Sequence, residues 1–186
     1  MSIAQPRLAP PAQLSELGRF DEQLRLSGSA THTLTRWLAE RLGGPDRPLL
    51  ARIRATTAPC VDIAIMHRLG ISDWADISYR RVWLVYDRRV MSIAENWYVA
   101  SRLPGGMAAT LADGKTPFGA AIASLKPTRE TLHAERLWRW RPRGETSDDR
   151  LSPPGAVLRH RALVGAGDGP PLCEVSEVYT RNILAV

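Results

Sequence analysis

The stretch that decides the fold is Ser78-Tyr79-Arg80-Arg81-Val82-Trp83-Leu84-Val85-Tyr86. Side chains of a strand alternate between its two faces, so Arg80 falls on an apolar face and Arg81 on the opposite one. A turn at residues 87–89 and a second apolar run, Val90 to Ala100, follow. The pattern predicts a β-hairpin with one face against the core.

A second hairpin is predicted near the end of the chain, from Val157 to Val164 and from Leu172 to Tyr179, joined by a glycine-rich turn at 165–169. Glu177 falls on the apolar face of its last strand. A charge on an apolar face is costly unless it is paired or meets a ligand. Arg80 and Glu177 therefore form either a structural ion pair or part of a site for a small, partly apolar anion.

Helical patterns surround the two hairpins. The predicted helices cover 13–23, 30–42 (preceded by the capping residues Ser27-Gly28-Ser29 and carrying an apolar stripe), 107–112 and 118–125; further strands are predicted at 49–55 and from Glu130 onward. Antiparallel hairpins with helices around them predict an α+β fold, an antiparallel sheet flanked by helices.

Length and composition fit a single domain. The chain has 186 residues, of which 44% are hydrophobic, enough for one core. Residues 1–12 are interpreted as a flexible N-terminal lead-in, 13–186 as the domain, and 139–156, within a polar insert, as a mobile surface loop. The sequence leaves the oligomeric state open between monomer and dimer.

The charge pattern argues against several classes of partner. The net charge of +6 comes almost wholly from arginines that are scattered along the chain, without the basic cluster typical of nucleic-acid binding. No apolar run is long enough for a membrane span or a signal peptide, so we expect a soluble, cytoplasmic protein. Cys60 and Cys173 are far apart; a buried free thiol is expected at Cys173, which fits a reducing compartment.

Motifs for common cofactors are missing from the sequence. It contains no GxGxxG, GxxxxGK[ST], HExxH, CxxC or GxSxG pattern, and its four histidines share no metal-ligand spacing. We therefore expect neither metal nor cofactor. The turn Asp113-Gly114 followed by Thr116-Pro117 opens a helix whose first amide groups are free to face an anion. Glu95 is a weaker third candidate for the site. Arg81 would replace Arg80 if the strand register were shifted by one residue.

These pieces, in this order, resemble chorismate pyruvate-lyase, the family that cleaves chorismate into 4-hydroxybenzoate and pyruvate for ubiquinone and related pathways. The most specific match is GKTPFG at 114–119, where the family has Gly-Lys-Thr-Pro-Leu-Gly. Weaker matches are LSGSAT at 26–31, YRRVWL at 79–84, ASRLP at 100–104, TRE at 128–130, LW at 137–138 and the last strand through 176–179.

The resemblance implies a chorismate-lyase-like domain with an interior pocket, acting as a cofactor-free carbon–oxygen lyase on chorismate. Its site residues would be Arg80 and Glu177 as catalytic groups and Ala30, Arg81 and Phe118 as substrate-binding groups. Arg80 would hold the substrate carboxylate, Ala30 and Phe118 would contact it through their backbone, and Glu177 would meet the hydroxyl end of the ring. Phe118 stands where the family has leucine.

Two other interpretations remain open at this point. The same fold resembles the effector domains of some transcription regulators, which bind small acids without converting them. This would make the chain a non-catalytic binding domain for a small aromatic carboxylic acid. About 25 residues before the domain are too few for a helix-turn-helix segment, which argues against a complete regulator. An inactive relative with a filled pocket is the third interpretation.

Overall fold

The structure, a computed structural model, describes residues 10–42, 48–60, 62–138 and 155–184. Its strands are β1 (Leu50–Ala55), β2 (Ile77–Tyr86), β3 (Arg89–Val99), β4 (Thr128–Arg136), β5 (Ala156–Gly165) and β6 (Cys173–Thr180). Its helices are α1 (Pro10–Leu26), α2 (Ala30–Leu42), α3 (Ile63–Leu69), α4 (Met107–Ala112) and α5 (Phe118–Ala121). The strands form one antiparallel sheet in the order β1-β2-β3-β6-β5-β4. The predicted α+β architecture is confirmed.

Both predicted hairpins are present. In the first, Tyr86 pairs with Arg89, so the turn consists only of Asp87 and Arg88, with φ angles of 43° and 64°. These left-handed conformations match the turn type that suits the twist of a two-residue hairpin. In the second, Val164 pairs with Cys173. The last strand, β6, lies beside β3, which brings the two hairpins together in the centre of the sheet.

The helices α1, α2 and α5 cover one side of the sheet, which we call the inner face. Leu17, Phe20 and Leu24 follow a helical spacing on α1 and are fully buried there. The ring of Phe20 packs between Trp37 of α2, at a centroid distance of 5.0 Å, and Tyr179 of β6, at 5.1 Å. This packing holds α1 and α2 against the middle of the sheet.

The opposite side, the outer face, carries α3, which was not predicted from the sequence. Asp62 caps the helix by accepting a hydrogen bond from the backbone amide of Ala64, at 2.8 Å, and Gly70 ends it with a φ of 61°. Arg68 on α3 forms a salt bridge with Glu174 of β6 at 2.6 Å, and the Glu174 side chain is fully buried. α3 thus covers the outer face at β6, one of the two central strands.

The structure also adjusts the predicted boundaries. α1 begins at Pro10, so residues 10–12 belong to a helix and not to the lead-in; residues 1–9 lie outside the described residues. Of the predicted mobile loop, 139–154 lies outside the described residues, and Ala156 already belongs to β5. Cys173 is a buried free thiol, as expected. Among the described helices, none combines the length and apolar character needed to cross a membrane.

Candidate functional site

A small cavity, which we call the inner cavity, lies between the inner face and the first residues of α2 and α5. Its walls are mostly aliphatic: Val82, Leu84, Ala94, Ile122, Val164 and Val175. Its free volume is about 30 Å³, room for about two water molecules. The polar side chains in its wall include those of Asn96, Arg129 and Glu177. A charged pair in such an apolar setting is the feature that marks the cavity as a candidate site.

Glu177 is paired with Arg129 inside the cavity wall. The Nη2 atom of Arg129 donates to Oε2 of Glu177 at 3.0 Å, and the two side chains are only 1% and 6% exposed. Nη1 of Arg129 donates to the backbone oxygen of Leu24, at 3.2 Å, and to Oγ1 of Thr131, at 3.1 Å. The Nε–H group of Arg129 is buried without a hydrogen-bond partner among the described residues. The pair is therefore neutral as a whole but leaves one cationic donor unused.

The first turns of α2 and α5 meet at the rim of the cavity. Ser29 caps α2 by accepting a hydrogen bond from the amide of His32 at 3.3 Å, which leaves the first-turn amides of Ala30 and Thr31 without intrahelical acceptors. A Cβ atom at Gly119 would lie 2.7 Å from Oγ of Ser29 and 2.8 Å from Oγ1 of Thr31. Glycine is thus needed for this close approach, which brings Phe118 to the cavity beside Ala30.

A layer of buried polar groups continues behind the Glu177–Arg129 pair. His160 of β5 is the cross-strand neighbour of Glu177 and is fully buried. Its Nε2 atom lies 2.9 Å from Oδ1 of Asp21 on α1. Asp21 also accepts hydrogen bonds from Nε of Arg25, at 3.0 Å, and Nε of Arg136, at 3.1 Å. His160 thus lies between the carboxylate of Glu177 in the cavity wall and that of Asp21 behind it.

The pKa values in this layer are shifted in opposite senses by burial and by hydrogen bonds. Burial alone would raise the pKa of Asp21, but hydrogen bonds from His160, Arg136 and Arg25 outweigh it and hold that pKa below its usual value. Burial lowers the pKa of His160, and its hydrogen bond to Asp21 offsets only part of that effect. Asp21 is therefore ionised and His160 neutral near pH 7.

Comparison with known proteins gives both a family and a fold. No family model matches the chain. Over 181 residues the chain is 35% identical to "Uncharacterized protein y4mC" of Sinorhizobium fredii, covering 92% of this chain and 76% of that protein. The chain belongs to the y4mC family.

Solved structures extend the comparison of this y4mC-family chain to its fold. The effector domain of PhnF from Mycobacterium smegmatis superposes with a TM-score of 0.53 and 15% identity, covering 83% of this chain and 89% of that domain. PhnF from the same organism, in a longer chain, gives the same TM-score and identity, with 84% of this chain and 65% of that one covered. The chorismate-lyase-like fold expected from the sequence is confirmed at this level.

The structure brings three of the five predicted site residues of the y4mC-family chain to one cavity: Ala30, Phe118 and Glu177. Arg80 is not among the residues that line it. In the register of the sheet, Arg80 pairs with Asn96, which pairs with Val175, so Arg80 lies two strands and two residues away from Glu177. Of the two alternatives for Arg80 and Glu177, the structural ion pair is therefore wrong, because Glu177 is paired with Arg129 instead.

Arg80 is held by backbone and amide groups. Its side chain, 1% exposed, donates from Nε to Oδ1 of Asn96 at 3.2 Å and from Nη1 to the backbone oxygens of Leu111, at 3.2 Å, and Thr116, at 3.1 Å. The Phe118 ring lies 5.9 Å from the guanidinium carbon. Arg80 also lines a wider void of about 430 Å³ beside β1 and α4, on the far side from Glu177.

Arg81 and Glu95 lie away from the inner cavity. Both are on the outer face, where Arg81 is exposed and pairs with Glu95 across the β2–β3 ladder. Glu95 accepts a hydrogen bond from the hydroxyl of Tyr79 at 2.7 Å. Arg80 lies on the inner face, as the alternation of β2 predicts. The prediction that Arg81 binds the ligand is wrong for this cavity, because Arg81 is exposed on the outer face.

Sequence reasoning missed Arg129 as the cation of the site. The strand was expected from Glu130 onward, which left Arg129 outside the sheet, whereas β4 begins at Thr128. The sequence signal for Arg129 is its spacing of two residues from Thr131, which places both side chains on the same face of a strand. In the structure both lie on the inner side of β4, where a hydrogen bond joins them. The Asp21–His160 pair gave no local signal, because its members are 139 residues apart.

Proposed function

We propose that this chain is a binding domain for a small organic acid with an aromatic or otherwise apolar body, which it holds in the inner cavity without converting it. The observation that carries this proposal is the buried Arg129–Glu177 pair in the wall of an otherwise aliphatic cavity. Such a site offers an apolar ligand body a surface and its anionic group a cation. The likeness to the PhnF effector domain supports the same reading.

The acid has a defined orientation in this proposal. A Cβ atom at Gly28 would lie 2.4 Å from the backbone oxygen of Pro127, so the start of α2 sits directly against the chain that leads into Arg129. Ala30, Thr31 and Arg129 all line the inner cavity, and each carries an N–H group without an acceptor within its own helix or among the described residues. The ligand carboxylate binds there, and its ring extends along the aliphatic side chains of the sheet.

Binding a ring-sized acid requires the cavity to widen. Its free volume of about 30 Å³ is far below the roughly 300 Å³ or more of typical ligand pockets. The short helix α5 carries Phe118 over the cavity and approaches α2 closely at Gly119. An outward shift of α5 with the Phe118 ring provides the space, and the bound acid then stabilises that widened state.

The test is a ligand panel measured by thermal shift and calorimetry on the full chain. 4-Hydroxybenzoate and benzoate should raise the melting temperature, whereas 4-hydroxybenzamide, equal in shape but uncharged, should not. Protection by the amide as strong as that by the acids, or no protection by any acid, contradicts the proposal. The amide comparison isolates the carboxylate, since the ring is unchanged.

A pair of matched double variants tests the role of the buried ion pair. Arg129→Met/Glu177→Gln removes both charges from the cavity and should weaken 4-hydroxybenzoate binding about ten- to hundredfold, the usual worth of a charged hydrogen bond. Arg159→Met/Glu135→Gln makes the same changes in an exposed pair at 3.1 Å between β5 and β4. The control should bind as the parent does. Equal affinity of both variants would show that the buried pair does not recognise the acid.

The second candidate is chorismate lyase activity, favoured by the meeting of Ala30, Phe118 and Glu177 at one cavity. Against it, the arginine that the resemblance assigns to the substrate carboxylate, Arg80, does not line this cavity. Its Nε and Nη1 groups are bonded to protein acceptors, and its Nη2 group is buried without a partner among the described residues. Incubation with chorismate, followed by chromatography of pyruvate and 4-hydroxybenzoate, separates the two. Protection against melting without pyruvate supports the binding domain. Release of pyruvate with 4-hydroxybenzoate establishes the lyase.

A further inference from the structure

His160 is surrounded by charged and polar groups from each element packed against it. Asp21 faces it from α1, Arg129 from β4, and Glu177 and Tyr179 from β6. Arg25 and Arg136 reach it only through Asp21, and their side chains are 48% and 50% exposed. Its Nδ1 atom is buried and has no hydrogen-bond partner among the described residues. No role in the proposed binding site accounts for this unpartnered nitrogen.

The chemistry of Asp21 fixes which nitrogen of His160 carries the proton. An ionised carboxylate can only accept hydrogen bonds, so Nε2, at 2.9 Å from Oδ1 of Asp21, must be the donor. In the neutral imidazole, Nδ1 then holds a free lone pair. That lone pair belongs to the residue directly across from Glu177 in the β5–β6 ladder. His160 is thus a buried base next to a carboxylate.

The charge balance of the inner cavity changes when an acid binds, and this change involves His160. Glu177 and Arg129, 3.0 Å apart and almost fully buried, neutralise each other in the unliganded cavity. A ligand carboxylate that binds Arg129 brings a second negative charge into the same apolar space. An uncompensated buried charge is strongly unfavourable, so the entry of the acid favours the uptake of a proton by this layer. Among the described groups in contact with this layer, His160 is the neutral base able to gain one.

We propose that the cavity binds its acid together with one proton, which His160 accepts at Nδ1 and shares with Glu177. This inference rests on the proposed function, since it concerns the same cavity and the same anionic ligand. The imidazolium would lie between Asp21 and Glu177, while Arg129 turns its charge to the ligand. His160 is then a positioning residue, because it acts on the ligand through Glu177 and Arg129.

The sign of the pH effect follows from the linkage. In the free protein burial keeps His160 neutral at pH 7, and the bound acid makes its protonated form more favourable. Binding therefore takes up a proton, and the Kd should rise with pH by up to about tenfold per pH unit between pH 6.5 and 8. Affinity should be greatest below pH 6.5, as long as the ligand carboxylate is still ionised.

The experiment is calorimetry of 4-hydroxybenzoate binding to the full chain at pH 7 in phosphate and in Tris, whose ionisation enthalpies differ. The buffer dependence of the binding enthalpy counts the protons taken up, and about one per ligand is expected. Benzoate has no phenol and should give the same proton count. An equal count for the two acids shows that the phenol group of 4-hydroxybenzoate does not contribute to it. A count of zero for both acids overturns the inference and leaves the proposed function intact.

Two variants show which group takes the proton. His160→Gln keeps a donor toward Asp21 but cannot be protonated, so its proton count should fall to zero and its Kd should lose its pH dependence. His133→Gln on the neighbouring strand changes an exposed histidine and should behave as the parent. An unchanged count in a folded His160→Gln overturns the role of His160. If no acid binds the parent at any pH, the proposed function fails and this inference with it.

Discussion

Arg80 is a buried cation without an acidic partner among the described residues, and hydrogen bonds satisfy its Nε and Nη1 groups but not its Nη2 group. Burial lowers the pKa of its guanidinium, yet arginine starts from so high a value that it stays charged. Its Nη1 atom holds the backbone oxygens of Leu111 and Thr116, which flank the turn between α4 and α5. A single side chain thereby connects β2 to both ends of the turn that leads from α4 to α5.

Replacement of Arg80 by alanine should therefore destabilise the protein. Arg80→Ala removes the donor that Arg80 supplies to Oδ1 of Asn96 and to the carbonyl oxygen of Thr116. It also removes one of two donors to the carbonyl oxygen of Leu111, which still accepts from the Gly114 amide. We expect the free energy of unfolding to fall by about 2–4 kcal/mol. Arg81→Ala, at the exposed neighbouring position, is the control and should change it by less than about 0.5 kcal/mol. Urea denaturation measures both. If Arg80→Ala has the stability of the parent but no longer binds the acid, Arg80 acts in ligand binding and not in stabilising the fold.

At the scale of elements, the contact between α5 and α2 controls access to the cavity. Gly119→Ala places a Cβ atom against Ser29 and Thr31, and we expect it to lower the free energy of unfolding by about 1–3 kcal/mol. The two helix starts should be pushed apart, which also changes the Kd for 4-hydroxybenzoate. Gly169→Ala is the matched control, since its Cβ would meet only an ordinary contact at 3.7 Å. Parent-like unfolding of Gly119→Ala would show that α5 already moves freely.

The elements that the sequence predicts well are those with a local signal. Alternation and turn residues located both hairpins, and a capping serine with an apolar stripe located α2. α3 also had such signals, namely Asp62 at its start, Gly70 after its end, and Ile65 and Leu69 four residues apart. It went unpredicted because seven residues contain only two turns of helix, too few for the periodicity to stand out.

The partners of the site residues depend on the whole molecule and could not be predicted locally. Alternation correctly placed Glu177 on the inner face, but its partner depends on which strand lies two places away in the sheet. β6 sits between β3 and β5, so Arg129 reaches Glu177 from β4 across β5, whereas Arg80 is displaced along the sheet. A register shift between Thr131 and His133 further hides the alternation of β4.

The same long-range assembly creates the polar layer that links α1 to three strands. Asp21, His160, Glu177 and Arg129 come from four different elements and meet behind the aliphatic cavity. Each charged group in the layer is stabilised by a neighbouring group of opposite charge or by a hydrogen bond. A change of charge at one position therefore changes the stability of the charged form at the others. The layer therefore ties the protonation state of the core to the stability of the fold.

That coupling predicts two steps in the pH dependence of stability. His160 has a folded-state pKa below its unfolded value of about 6.5, so stability should fall as the pH drops below about 6.5, by up to about 1.4 kcal/mol per pH unit. Asp21 has a depressed pKa as well, and its contribution should be lost below about pH 4, as the pH falls through the folded-state value. Urea unfolding between pH 3 and 8 measures both steps.

A variant separates the two groups. His160→Gln cannot be protonated, so the step between pH 6.5 and 4 should disappear, while the acid step of Asp21 remains because Arg25 and Arg136 still donate to it. His133→Gln, at an exposed position, should keep both steps. If the upper step survives in His160→Gln, another group causes it, and His160 is not the buried neutral base of the core. If the upper step disappears in His160→Gln and persists in His133→Gln, the proton that the folded state excludes below pH 6.5 is assigned to His160.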